Sequence, residues 1–311
     1  MEAYMDIKVS VVFLTYNHED TVRQAIESVL MQKTNFEYEI LVAEDCSTDR
    51  TREILREYKK KYPDRIKLLF KKENVGVIRN LVSAYKLVRG KYIAILEGDD
   101  YWNDESKLQK QYDFMERNAA YSACFSDAYV IDETGRDCLL RTKNYDIPNM
   151  EVFFSDCKYI PTASWFFRAY ILKENNYFKF FQTKVTTDVI MHVICLRHGM
   201  LHHINEKMVT YRYIVRNGKS YSAQKKEFIY YDAMMARRMQ VALIKGYKCS
   251  LLEKVLTYRK AYTCLANKQS RLFYYYYDNG NVKEALKFFF TDMRLLEKIS
   301  LIYNWIENKK K

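Results

Sequence analysis

Glycine and proline are scarce in this chain, 8 and 3 among 311 residues, which excludes a collagenous or proline-rich linker protein. No uncharged stretch is longer than the ten residues from Val9 to His18, so no segment reads as able to span a bilayer. The first residues, MEAYMDIKV, lack the basic flank and apolar run of a secretory signal, which points to a cytoplasmic protein. Seven cysteines, an odd number without a CxxC pair, exclude a disulfide framework and a zinc ribbon and read as reduced, mostly buried thiols. The chain has no GxGxxG after its first strand, which disfavours a dinucleotide-binding enzyme. It also has no GxxxxGK[ST], so a phosphate group would not be cradled by a P-loop.

Basic charge is abundant, but it is unevenly placed. The formal balance is +12, yet residues 1–220 hold 33 basic and 31 acidic side chains, a balance of +2. Residues 221–311 hold 18 and 8, a balance of +10. Any electrostatic attraction to an acidic partner therefore belongs to the last third. Aromatics make up 15% of the chain, with 28 tyrosines, bulk that suits contact surfaces.

The first 130 residues alternate short apolar runs with helical periods. VSVVFLTY (9–16), EILVAE (39–44), IKLLF (66–70) and KYIAIL (91–96) read as buried strands. Between them, Val22, Ala25, Ile26, Val29 and Leu30 mark a helix face. Ser47, Thr48 and Asp49 supply cap types for a helix ending near Tyr62-Pro63, and residues 75–90 fit a helix ending at Gly90. This alternation implies right-handed crossovers and an α/β architecture, a mainly parallel sheet flanked by helices. Later strands are expected at 121–132, 161–168 and 207–215, and a helix from Asp188 to Arg197. Beyond about 220 the pattern is helical, dividing the chain into a domain of residues 1–220 and a Tyr- and Phe-rich extension of 221–311.

Ligands of such sheets lie beyond the carboxyl ends of the strands, which places a site at Thr15–His18, Glu44–Ser47 and Glu97–Trp102. Glu97-Gly98-Asp99-Asp100 puts three carboxylates within four residues at a strand end. They repel one another unless a cation neutralises them, and hard oxygen ligands suit Mn²⁺ or Mg²⁺ whose shell is completed by phosphate and water. A solvated acidic turn is the plain alternative for such a cluster. Asp45 could accept from a base or a ribose hydroxyl, while Ser47–Asp49 cap the next helix.

In this order and spacing, VSVVFLTYN, EILVAEDCSTDRT, ENVGVIRN and GKYIAILEGDDYW resemble family 2 glycosyltransferases of the Rossmann-like GT-A fold. The resemblance continues through NDESKLQKQYDFM, PTASWFFR, TTDVIMHV and KMVTYR and covers roughly residues 6–215. It implies that Thr15, Tyr16 and Asn17 line a nucleotide pocket together with Glu44, Asp45, Arg79, Asp100 and Arg212. Asp45 would accept from the base, usually uracil, and Arg212 would meet the diphosphate. The family's aspartate–any–aspartate metal motif falls on Glu97-Gly98-Asp99, so Asp99, with Glu97, would hold the metal. Asp188 matches the catalytic base, although an aspartate at a helix start is also a common N-cap. The sequence departs from the family with Glu44 and Glu97 where aspartate is commoner, and with Ile214 where a histidine often stands. The absence of QxxRW argues against a processive, membrane-embedded synthase.

The resemblance thus implies an inverting, metal-dependent transfer of one sugar from a nucleotide-diphosphate sugar, most simply a UDP-sugar. The acceptor would be a hydroxyl of a glycan or lipid-linked molecule in surface polysaccharide synthesis. Nucleotidyl transfer that makes nucleotide sugars shares the acidic strand ends, and a non-catalytic nucleotide-sugar-binding module is the other class. The basic tail lacks any nucleic-acid-binding signature. Residues 221–311 are instead expected to meet an anionic membrane surface, peripherally, at the inner face of the cell membrane.

Overall fold

The computed structural model describes residues 6–132, 134–136, 145–150, 152–153, 160–174 and 187–213. The expected extension of 221–311 lies outside the described residues, as does Ile214. Eight strands form one sheet: β1 (Ile7–Thr15), β2 (Glu37–Glu44), β3 (Ile66–Phe70), β4 (Tyr92–Glu97), β5 (Tyr101–Trp102), β6 (Tyr121–Ile131), β7 (Phe166–Arg168) and β8 (Met200–Arg212). Helices α1 (Val22–Leu30), α2 (Thr51–Lys61), α3 (Val77–Tyr85), α4 (Lys107–Arg117), α5 (Tyr170–Glu174) and α6 (Thr187–Leu196) flank it. The strand order is β3-β2-β1-β4-β7-β6-β8-β5. The first four neighbours are parallel, as the alternating sequence predicts, and β6 also runs parallel to β8. Antiparallel pairings bring in β7 beside β4 and β6, and β5 beside β8. The sheet is mostly parallel, the expected α/β class.

Strand alternation sends side chains to two separate cores. Val12 and Leu14, Leu41 and Ala43, and Ile93 and Ile95 pack with Ile78, Leu81 and Ala84 of α3 and Ile190, Val193 and Ile194 of α6. Val11 and Phe13, Ile40 and Val42, and Ala94 and Leu96 pack on the opposite face with α1, α2 and Leu108 and Met115 of α4. Both faces are covered, which is why these strands read as continuous apolar runs. The register aligns Thr15 with Glu44 and Leu14 with Glu97, so the polar residues after β1, β2 and β4 emerge at one edge.

Two local expectations need correction. Helix α3 stops at Tyr85, short of Gly90. The amides of Arg89 and Gly90 donate instead to the Ser10 hydroxyl, at 3.2 and 2.9 Å, and a Cβ on Gly90 would stand 2.5 Å from the Ser10 nitrogen. PTASWFFR is not one strand: a 3₁₀ turn at Thr162–Ser164 precedes the three residues of β7. In addition, the two-residue strand β5 was not legible in the sequence, because its partner among the described residues, β8, lies about a hundred residues away.

Lys107, in the first turn of α4, has no exposed surface. Its ammonium donates to Gln111 Oε1 at 2.7 Å and lies 4.1 Å from the centre of the Trp102 ring. Burial pushes its pKa down to about 7, while the neighbouring Cys124 thiol is pushed up to about 12 by its own burial. A lysine whose folded pKa lies below its unfolded value binds fewer protons when folded, so stability rises with pH between about 7 and 10.5. Urea unfolding at pH 7.5 and 9.5 should show that rise in the wild-type protein and its loss in Lys107→Met; the same pH dependence in both would contradict the assignment.

Candidate functional site

The loops after β1 and β2 are stapled to each other by reciprocal hydrogen bonds. Backbone N–H groups of Asn17, His18 and Glu19 donate to Ser47 Oγ, Thr51 Oγ1 and Asp49 Oδ2 at 2.9, 2.9 and 3.0 Å. In return, Thr48 N–H donates to Asn17 Oδ1 at 2.8 Å and Arg50 N–H to Glu19 Oε2 at 3.1 Å. Asn17 and Cys46 both adopt positive φ, 54° and 64°, which turns each loop sharply at its strand end. The capping expected of Ser47 and Thr48 is therefore replaced by cross-loop bonds. Only Asp49 also bonds the start of α2, accepting the Thr51 N–H at 2.9 Å.

Glu44 has no exposed surface; it pairs with the Arg52 guanidinium and accepts the Ser47 N–H. Its carboxylate is engaged inside the protein, where it holds the second loop. Asp45 is almost as buried, and its two oxygens accept the N–H groups of Val75 and Gly76 at 2.9 Å each. Burial raises its pKa against those two hydrogen bonds. Asp45 thus sets where α3 begins, at a Gly76 with φ of +84°. Arg79 is exposed on that helix, two residues beyond its start. Tyr16 is exposed as well, whereas Thr15 is buried with its hydroxyl 3.2 Å from His18 Nδ1.

The acidic turn presses on this double loop. Gly98 N–H donates to the Leu14 carbonyl at 2.7 Å, and its own carbonyl accepts from Thr21 Oγ1 at 2.7 Å. A Cβ on Gly98 would lie 2.6 Å from Thr15 Oγ1 and 2.7 Å from His18 Nδ1. Asp100 is buried and accepts the Arg212 N–H at 2.9 Å. Its pKa is raised well above the ordinary carboxylate value, by burial first and then by the negative charges of Asp99 and Glu97. The half-buried Arg212 guanidinium lies 4.7 Å from the Tyr101 ring and bonds the Asp99 carbonyl and Gln24 Oε1. Burial lowers the Arg212 pKa, against the pull of Asp100.

Among the described residues, no three His, Cys, Asp or Glu side chains are grouped so that they could hold a metal ion by themselves. Asp99 and Glu97 are partly exposed at the strand end, and Asp100 suffers from their charge. That donor chemistry fits a hard divalent cation that takes one or two protein carboxylates and completes its shell with phosphate and water. Asp188 is the second residue of α6, a helix that begins one residue before the expected start.

The apolar face of α1 was legible in the sequence, but the polar stripe beside it was missed. Thr21, Gln24, Ser28 and Gln32 bond Gly98 carbonyl, Arg212, Trp102 N–H and the Asp104–Leu108 turn in that order. Their spacing of three, four and four is a polar stripe along one helical face, a signal hidden behind the apolar stripe beside it.

A sequence model of the family described as Glycosyl transferase family 2 matches residues 10–176. TuaG of Bacillus subtilis, a glycosyltransferase named for teichuronic acid biosynthesis, is 39% identical over 115 residues, 37% of this chain and 44% of its own length. The Escherichia coli UDP-Glc:alpha-D-GlcNAc-diphosphoundecaprenol beta-1,3-glucosyltransferase WfaP is 36% identical over 122 residues, 39% of this chain and 46% of its own. The chain spans less than half the length of the curated relatives it matches. Among solved structures, S. aureus TarS 1-349 in complex with UDP-GlcNAc shares the fold, with a TM-score of 0.65 at 19% identity. That likeness covers 96% of this chain and 79% of TarS 1-349.

The contact at Gly98 is testable. A methyl group there forces the acidic turn off the Thr15–His18 loop, so Gly98→Ala should lose about 1–3 kcal/mol of stability, the usual cost of overpacking. Its urea midpoint checks this; an unchanged midpoint would mean that the two loops are not in firm contact.

Proposed function

This chain belongs to glycosyl transferase family 2, and from that premise we propose that it is an inverting glycosyltransferase moving one sugar from a nucleotide-diphosphate donor to an acceptor hydroxyl. The observation that most supports this is the convergence of the loops after β1, β2 and β4 at one carboxyl edge, with the acidic turn seated on the other two. A UDP-sugar is the favoured donor and a lipid-linked glycan the favoured acceptor. Both choices are supported by the name of WfaP, the UDP-GlcNAc complex of TarS supports the first, and the name of TuaG supports a role in surface polymer synthesis. Family membership favours glycosyl over nucleotidyl transfer and over a binding module.

In this reading Thr15, Tyr16, Asn17, Asp45 and Arg79 receive the nucleoside, Arg212 stands at the diphosphate, and Asp100 faces the metal, ribose or sugar. Glu44 supports the loop from within. Asp99, with Glu97, would hold Mn²⁺ or Mg²⁺. A divalent cation bound there supplies the positive charge that makes a nucleoside diphosphate a competent leaving group. Asp188 takes the acceptor proton as the acceptor oxygen bonds the anomeric carbon and the bond from that carbon to the phosphate oxygen breaks on the opposite face. Asp188 owes this role to its position in the family motif.

Among the described residues no helix is long and apolar enough to cross a membrane. The +10 balance of residues 221–311 supports peripheral attachment to anionic lipid at the inner membrane face. Retained binding to anionic vesicles after deletion of 221–311 would count against that attachment.

Incubation with UDP-, GDP- and dTDP-sugars, with and without Mn²⁺, should release nucleoside diphosphate from one donor. Asp188→Asn should lower transfer to a productive acceptor about 10²–10⁴-fold, the range of a lost general base. Release of pyrophosphate, or full transfer by Asp188→Asn, would contradict the proposal.

A further inference from the structure

Lys107 is the most deeply buried cation among the described residues, with no exposed surface, and no carboxylate there lies within ion-pair reach of it. An amine taken out of water without a counter-ion is costly whether it keeps its proton or gives it up, and a methionine of similar length would fill the same slot without that cost. Packing alone does not account for it.

Its surroundings give it a use. The ammonium lies 4.1 Å from the Trp102 ring centre, and Trp102 closes the turn that begins with Glu97, Asp99 and Asp100. The same ammonium donates to Gln111 Oε1 at 2.7 Å, which orients the amide so that Gln111 Nε2 donates to the Ser164 carbonyl at 2.8 Å. Trp102 Nε1 donates to the adjacent Ala163 carbonyl at 2.9 Å. Both arms of the network therefore grip one 3₁₀ turn, Thr162–Ser164. Trp165, the next residue, stacks on His192 of α6 with ring centroids 4.6 Å apart. His192 stands four residues, one helical turn, beyond Asp188.

We propose that Lys107 is a positioning residue that ties the acidic turn, through Trp102 and Gln111, to the 162–165 segment against which α6 packs. It holds the two ends of the reaction in one register: the carboxylates that meet the metal–diphosphate, and the helix that carries Asp188. This rests on the reading of the 97–100 turn as the diphosphate end of a glycosyltransferase site. A misplacement of about 1 Å between reacting groups can cost about 10²-fold in rate, so a small loosening of this tie is enough to be measured.

The test uses the full chain and three variants, Lys107→Met, Lys107→Arg and Trp102→Phe. Calorimetric titration with UDP and with GDP, each with Mn²⁺ and with a chelator, gives binding; donor hydrolysis gives turnover; urea unfolding gives the folded fraction. Lys107→Met is expected to stay folded and to keep the metal-free nucleotide affinity. Its Mn²⁺-dependent affinity and its turnover should each fall about tenfold or more. Trp102→Phe, which loses the bond to Ala163, should show the same selective loss, and the double variant should be no worse than the worse single one. Lys107→Arg should recover part of the loss. Wild-type Mn²⁺ dependence and turnover in Lys107→Met would overturn the positioning role alone, as would a loss that only follows the unfolded fraction. A wild-type protein that binds neither nucleotide with Mn²⁺ and hydrolyses no donor would overturn the functional reading and this role together.

Discussion

The polar stripe of α1 is the constraint on which the site depends. Thr21, Gln24, Ser28 and Gln32 fasten, in sequence order, the Gly98 carbonyl, Arg212, Trp102 and the Asp104–Leu108 turn. A net hydrogen bond contributes only about 0.5–1.5 kcal/mol, but Thr21, Ser28 and Gln32 hold the 97–108 segment from Gly98 to Leu108, and Gln24 holds the Arg212 side chain that bonds the same turn. The apolar stripe of the same helix is sunk in the core between Val11, Phe13 and Ile40. The acidic turn is thereby tied to a helix whose apolar face is buried in the core. Its distance from the β1 loop is then set by the space at Gly98, where no Cβ fits.

Such tethering is needed because the turn works against its own charge. Burial and the neighbouring carboxylates make an ionised Asp100 costly, and the backbone of Arg212 offsets only part of this. Left to itself, a turn of this kind would swing its carboxylates outwards into water. Held by α1, by β8 through β5, and by the Arg212 guanidinium, it keeps them together. A site that concentrates negative charge in this way is prepared for a cation and for the phosphate groups that a cation attracts.

Much of this was legible in the residues. The runs VSVVFLTY, EILVAE, IKLLF and KYIAIL correspond to β1 to β4 within two residues at each end, with β1 and β2 both starting two residues early. Their polar ends meet at one edge, as strand topology requires. What escaped was non-local. β5 exists only because β8 returns beside it, and α3 stops early because Ser10 and Glu39, far away in the chain, claim the Arg89 amide. Glu44 and Asp45 look alike in sequence, adjacent acids at a strand end. One is neutralised by Arg52 inside the protein, and the other is bound to the backbone before α3. Alternation along a strand separates their directions, but only the folded neighbours reveal what each one meets.

The central claim is that the acidic turn and the two stapled loops form one site for a metal-bound nucleoside diphosphate. Crystals of the full chain grown with UDP and Mn²⁺, with anomalous data collected at the manganese edge, test it directly. The account predicts a single manganese peak beside the Asp99 carboxylate, shared with the diphosphate, and the base next to the loops of Thr15–Asn17 and Asp45. A nucleotide bound elsewhere, or a manganese peak remote from residues 97–100, would contradict it.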